Sequence, residues 1–88
     1  MTQKPNLYIK EYCPWCKAAR AFFAEKGLSL NIKDVEKDPA AFQRMIEISG
    51  QRLTPTFEYG NFVVKDFSVD EFKAALDKNP ETTKALGL

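Results

Sequence analysis

The sequence predicts an α/β fold built on a four-stranded mixed sheet, with elements in the order β-α-β-α-β-β-α. Three observations lead there. Short β-rich runs alternate with longer stretches of helical apolar spacing. Two of those stretches open on a capping position followed by proline, Cys13-Pro14 and Asp38-Pro39. Gly60-Asn61 stands between two β-rich runs and reads as a hairpin turn. A right-handed β-α-β crossover makes the first two strands parallel, and the hairpin adds two antiparallel ones. With 88 residues the chain has room for one core, so residues 1–88 read as a single domain.

Leu7-Tyr8-Ile9-Lys10 is the first strand. Pro14 takes the first helical position, where its missing N–H leaves nothing unpaired. Good helix formers continue to about Lys26, and Gly27 supplies the left-handed stop. Leu28, Leu30, Ile32 and a shifted Val35 alternate with polar residues, which is strand spacing. Asp38 caps a second helix that buries Phe42, Met45, Ile46 and Ser49 and stops at Gly50. Thr56 to Tyr59 and Phe62 to Lys65 are the hairpin strands. Ser68-Val69-Asp70-Glu71 is a capping box, and Phe72, Ala75 and Leu76 form the apolar stripe of the helix it starts. Pro80 opens a short terminal helix to Leu86 that carries no readable role.

Composition removes several classes of function. A net charge of +1 gives no nucleic acid or anionic membrane a reason to bind. No apolar run precedes the first strand and none approaches a membrane span, so a cytoplasmic protein without a cleaved signal is expected. The chain has no histidine, which removes the usual general base, triad member and neutral-pH switch. Two cysteines without histidine also fall short of a four-ligand zinc site, so no metal is expected.

Chemistry concentrates in Tyr12-Cys13-Pro14-Trp15-Cys16-Lys17. Cys13 falls at the start of a helix, where unpaired amides and the helix dipole favour a thiolate. Pro14 donates nothing, so the amides of Trp15 and Cys16 are the expected donors, with Lys10 adding positive charge nearby. A free thiol titrates near ~8.5, and such surroundings lower that by one to several units. Cys16 lies one turn further in and faces the protein body. Cys13 is thus read as a nucleophile attacking a disulfide, and Cys16 as the thiol that resolves the mixed disulfide. The plain alternative is a stabilising disulfide, whose short loop would contribute only roughly 2 kcal/mol.

Gln51-Arg52-Leu53-Thr54-Pro55 is the second constellation. Taken alone, Pro55 reads as a turn residue. Beside a Cys-x-x-Cys helix, a cis Thr54–Pro55 bond would leave the Thr54 backbone free to pair with an extended thiol-bearing peptide.

Lys10-x-x-Cys13-Pro14-Trp15-Cys16 followed by Gly50-x-Arg52-x-x-Pro55, within this order of elements, resembles the glutaredoxin family over roughly Leu7 to Leu76. The resemblance implies a thioredoxin-like fold and a glutathione-dependent thiol–disulfide oxidoreductase serving cell redox homeostasis as a monomer. Its partners would be glutathione and disulfide-bearing proteins. The implied glutathione site consists of Lys10, Tyr12, Trp15, Arg52, Thr54, Pro55, Phe67 and Ser68. Lys10 would bind a glutathione carboxylate with Arg52 near that end, Thr54 would give backbone pairing, and Ser68 would lie where the family binds the γ-glutamyl carboxylate. Three positions depart from the family's usual pattern. Trp15 stands for tyrosine, Thr54 for valine, and Val64-Lys65-Asp66-Phe67 replaces a stretch that usually carries Gly-Gly. Competing readings are a glutaredoxin-like protein reduced by thioredoxin reductase and a dimer holding a [2Fe–2S] centre through Cys13 and glutathione. A third is a non-catalytic interaction domain presenting Trp15 and Phe67 as an aromatic patch.

Overall fold

The computed structural model describes residues 4–88. The reading of the N-terminus as lacking a signal rests partly on Met1 to Gln3, which lie outside them. The elements run β1 (Asn6–Ile9), α1 (Pro14–Glu25), β2 (Asn31–Asp34), α2 (Pro39–Ser49), β3 (Thr56–Tyr59), β4 (Phe62–Lys65), α3 (Val69–Asp77) and α4 (Pro80–Leu86). They form a four-stranded sheet in the order β2-β1-β3-β4. β1 is parallel to β2 and antiparallel to β3, and β3 pairs antiparallel with β4.

Local chemistry fixes where each helix starts. Cys13 is the N-cap of α1, in extended conformation, with Pro14 at the first helical position. Asp38 caps α2 by accepting from the amides of Ala40 and Ala41 at 3.1 and 3.2 Å. Gly50 ends that helix at φ 72°, a left-handed conformation that costs glycine little. Ser68 and Glu71 cap α3 reciprocally, completing the capping box.

Alternation along β1 and β3 divides the core between the two faces of the sheet. Leu7, Ile9 and Phe57 point towards α1, α3 and α4, where they meet Ala19, Phe23, Phe72, Leu76 and Leu86. Phe72 sits amid an aromatic cluster, with ring centroids 4.8 Å from Phe57, 5.0 Å from Phe23 and 5.2 Å from Phe67. Burying each such ring contributes about 1.5–3 kcal/mol. The opposite face carries Tyr8, which packs with Val35, Ala41 and Met45 under α2.

The terminal helix has a structural role. Leu86 closes the end of the larger core, and the Thr83 hydroxyl donates to the Leu76 carbonyl at 2.7 Å, tying α4 to α3. Burial of Phe42 and Ile46 is only partial, as it is for Ala75, whereas Met45 and Ser49 are buried as expected.

Two strand limits differ from expectation. β1 begins at Asn6 and ends at Ile9, because the Lys10 carbonyl instead accepts from Cys13 in the turn that leads to the helix. Leu28 and Leu30 lie in the connection before β2 and pack against the larger core from there. Their alternation therefore reflects contact with α1's side of the molecule and not ladder pairing. Ile32, within β2, is 42% exposed.

Candidate active site

The C-terminal end of β1, the start of α1 and the segment before β3 converge on Cys13. The turn after β1 delivers it to the N-cap position, half-buried, while Cys16 one turn later is 1% exposed. Both are free thiols. The Cys16 amide donates to the Cys13 sulfur at 3.2 Å. The Cys13 thiol, when protonated, donates to the Thr54 carbonyl at 3.8 Å.

These contacts give the two cysteines opposite acidities. Partial burial pushes the Cys13 thiol up, but hydrogen bonds from the Cys16 and Thr54 side chains and from the backbone amides of Cys16 and Trp15 outweigh it, leaving it below the ordinary range. Burial, reinforced by the contact with Cys13, pushes Cys16 up to about 11. One thiol is therefore prepared to be an anion and its neighbour keeps its proton. The two backbone amides are those expected from a helix start with proline at its first position, whereas the larger contributions from the Cys16 and Thr54 side chains were not foreseen from the sequence.

The predicted site residues distribute unevenly around this pair. Thr54 lies against the Cys13 sulfur, and Thr54–Pro55 is a cis peptide bond with both residues buried. Tyr12 and Trp15, at 83% and 59% exposure, flank the nucleophile as open aromatic surface. Leu53, next to Thr54 in the chain, is half exposed, and nothing in its sequence neighbourhood marks it as a site residue. Lys10 approaches through its backbone, and Arg52 projects from the segment before Thr54; neither forms an ion pair among the described residues.

Phe67 corrects the reading of an exposed aromatic patch. It is 3% exposed and belongs to the core, so Trp15 stands alone on the surface at that side. Trp15, Asp66, Phe67, Ser68 and Glu71 line one shallow pocket next to the start of α1. Asp66 adopts φ 47°, the left-handed conformation in which glycine is usual and aspartate is tolerated. That left-handed residue lets the chain make its turn into α3 without a glycine. Asp66 falls in the Val64-Lys65-Asp66-Phe67 stretch that the sequence already marks as a departure beside the groove, whereas Glu71, read only as a capping residue, is a groove residue that the sequence reading missed.

Among known protein families, the glutaredoxin family model matches residues 6–64, which carry the whole constellation from Lys10 to Pro55. The chain belongs to the glutaredoxin family. Glutaredoxin 3 of Escherichia coli strain K12 is 35% identical over 50 residues, 57% of this chain and 60% of that protein. The chain thus spans somewhat under two thirds of that relative's length. A glutaredoxin from Neisseria meningitidis serogroup A is 31% identical over 68 residues, covering 75% of this chain and 79% of the relative. Among solved structures, the thioredoxin-like protein BC3987 superposes with a TM-score of 0.74 at 27% identity. That superposition covers 83% of this chain and 100% of the other. The fold is thioredoxin-like, and in this glutaredoxin the sulfur pair stands at the end of the central strand β1.

Proposed function

We propose that this glutaredoxin is a dithiol oxidoreductase that reduces protein disulfides and glutathione mixed disulfides, with glutathione as its reductant. The observation that carries the reading is the asymmetry of the pair: a Cys13 sulfur held towards the anion by the Cys16 amide, beside a buried and protonated Cys16.

The reaction follows from that asymmetry. The Cys13 thiolate attacks one sulfur of a substrate disulfide, forming a Cys13–substrate disulfide and releasing the other sulfur as a thiolate that takes up a proton. Cys16 then gives up its proton and attacks the Cys13 sulfur. The second substrate thiol leaves, and two electrons have moved from the protein to the substrate. The resulting Cys13–Cys16 disulfide is reduced by two glutathione molecules, which leave as glutathione disulfide. The first attack requires no histidine or other general base, because the surroundings of Cys13 favour its ionised form, and the proton that Cys16 gives up in the second attack passes to the departing substrate sulfur.

Glutathione is read into the groove from the family. Lys10 and Arg52 supply cations for its carboxylates, the Thr54 backbone pairs with its cysteine, and Tyr12, Trp15, Pro55, Phe67 and Ser68 shape the surrounding walls. We read the chain as one domain acting as a cytoplasmic monomer, without nucleic acid or membrane as partner. No helix among the described residues is long and apolar enough to cross a membrane.

Turnover of a small glutathione mixed disulfide, with glutathione, glutathione reductase and NADPH supplied, tests the reading. Sustained NADPH oxidation that depends on the protein is the expected result. Turnover supported only by thioredoxin reductase reassigns the reductant, and no turnover with either donor removes the oxidoreductase reading.

A further inference from the structure

Two sulfurs and one hydroxyl meet behind the surface of the active site. Thr54 is 8% exposed, and its backbone carbonyl lies 3.8 Å from the Cys13 sulfur. Its side chain hydrogen-bonds to both Cys13 and Cys16, and in each case the contact favours the anion. A hydroxyl does this by donating its one proton to the sulfur, and it rotates to aim that proton at either neighbour. Thr54 is also one of the three departures noted in the sequence, since valine has the same branched shape without the hydroxyl.

We propose that the Thr54 hydroxyl is a catalytic group of the exchange reaction, donating to the Cys13 sulfur during the first attack and to the Cys16 sulfur during the second. This rests on the dithiol exchange proposed above and assigns the group that assists its resolving step.

The second attack is the step with less help from elsewhere. In the reduced protein the Cys13 sulfur has the Cys16 amide at 3.2 Å, the Cys16 thiol and the Trp15 amide in addition to Thr54. Once Cys13 is bonded to a substrate sulfur it carries no charge, and negative charge develops on Cys16 instead. Cys16 is 1% exposed, and burial holds its proton on. The Thr54 side chain is the largest influence opposing burial there, ahead of the Lys10 backbone. The charged residues nearest in the chain, Lys10, Glu11, Lys17 and Arg52, are not among the main contributors through their side chains. Thr54 itself gains and loses no proton. As the Cys13–Cys16 bond forms and the Cys13–substrate bond breaks, the Cys16 proton passes to the departing sulfur. The hydroxyl meanwhile donates to the Cys16 sulfur that is losing it.

The neutral disulfide 4,4′-dithiodipyridine separates the two steps, because each attack releases one thiopyridone that absorbs light and carries the proton. The full chain, reduced beforehand, is mixed with an equimolar amount and followed by stopped-flow absorbance. The first phase reports Cys13, and the second, independent of concentration, reports Cys16. Thr54→Val is expected to slow the second phase about tenfold, the effect of one hydrogen bond to a charged group, and to move its pH profile upwards. The first phase is expected to fall less, because Cys13 keeps its amide donors. Thr54→Ser, which keeps the hydroxyl, is expected to restore most of the parent rate. Thr54→Ala, with neither hydroxyl nor branch, should behave as Thr54→Val and stands in for it if valine disturbs the fold. A second phase as fast in these two variants as in the parent overturns the proposal. Equal slowing in Thr54→Ser also overturns it, since the effect is then one of packing. If the parent releases only one thiopyridone, the dithiol reading falls, and the role of Thr54 with it.

Discussion

The Cys16 amide points at the Cys13 sulfur from 3.2 Å, so the residue proposed to resolve the mixed disulfide also favours the anion of the proposed nucleophile through its backbone. Replacing the Cys16 side chain leaves that amide in place. The two contributions of Cys16 are therefore separable by mutation.

Cys13→Ser is expected to abolish disulfide reduction altogether, because a hydroxyl in that position does not ionise near neutrality. Cys16→Ser is expected to retain reduction of glutathione mixed disulfides, which requires only one protein thiol, while losing most reduction of protein disulfides. Steady-state rates of the two variants on both substrate types check this, and full activity of Cys13→Ser would falsify the assignment.

The opposite acidities predict a two-stage alkylation profile. With its pKa lowered, Cys13 should react with iodoacetamide at a rate that rises with pH and levels off at a lower pH than that of a free thiol. Cys16, pushed up to about 11, should stay unmodified through neutral pH in the folded protein. Mass spectrometry of the timed reaction, at several pH values, distinguishes one adduct from two. Equal modification of both thiols at pH 7 contradicts the asymmetry on which the mechanism depends.

How much of this was legible in the sequence follows from whether the determinants are local. Cys13, Pro14 and Cys16 lie within one helical turn, so their spacing alone placed the sulfur, the helix start and the donating amides. Strand β2 was harder, because the alternation of Leu28 and Leu30 records burial against the larger core rather than pairing with β1. Phe67 lies in a loop between β4 and α3, and nothing local says whether its ring turns inwards. The Glu71 carboxylate was readable as a cap. Its second place, in the pocket with Trp15, exists only once α1 and α3 are side by side. Glu58 was the least legible of all. The sequence placed it in the hairpin strand Thr56 to Tyr59 and gave it no further role, yet it is 8% exposed and its ion partner Arg44 comes from α2.

That buried carboxylate yields a stability prediction. Burial pushes Glu58 up, but hydrogen bonds from Asn6, Tyr8 and Arg44, at 3.1, 2.8 and 2.8 Å, outweigh it and leave its pKa lowered. Tyr8, desolvated and bonded to that carboxylate, is raised to about 12 and stays a donor throughout the working range. A depressed carboxyl contributes stability that is fully present above its unfolded pKa and is lost as pH falls through its folded one. Tyr8→Phe is expected to cost about 1.5–3 kcal/mol near pH 7, the range for a hydrogen bond to a charged group. The difference should shrink in acid as Glu58 becomes protonated. Urea unfolding of the parent and Tyr8→Phe proteins across the acidic range measures this; a constant difference at every pH contradicts the assignment of the effect to an ionised Glu58.

Phe72 tests the aromatic core that carries the active-site helices. Its ring is fully buried and lies within 4.8–6.3 Å, centroid to centroid, of Phe22, Phe23, Phe57, Phe62 and Phe67. Phe23 comes from α1, Phe57 from β3 and Phe67 from the pocket wall, so one side chain joins the elements that present Cys13, Thr54 and Ser68. Phe72→Ala removes the ring from the middle of that cluster, and a cavity there collapses poorly because its walls belong to different elements. A loss of about 3–5 kcal/mol is expected. That is a large share of the roughly 5–15 kcal/mol typical of a whole domain. Phe72→Leu, which refills most of the volume, should recover much of it. Denaturant midpoints of the two variants give the comparison. Because Phe72 is not among the groups that set the acidity of Cys13, Phe72→Leu should also keep that thiol's alkylation profile. A shifted profile would show that the core sets the nucleophile's acidity as well as its position.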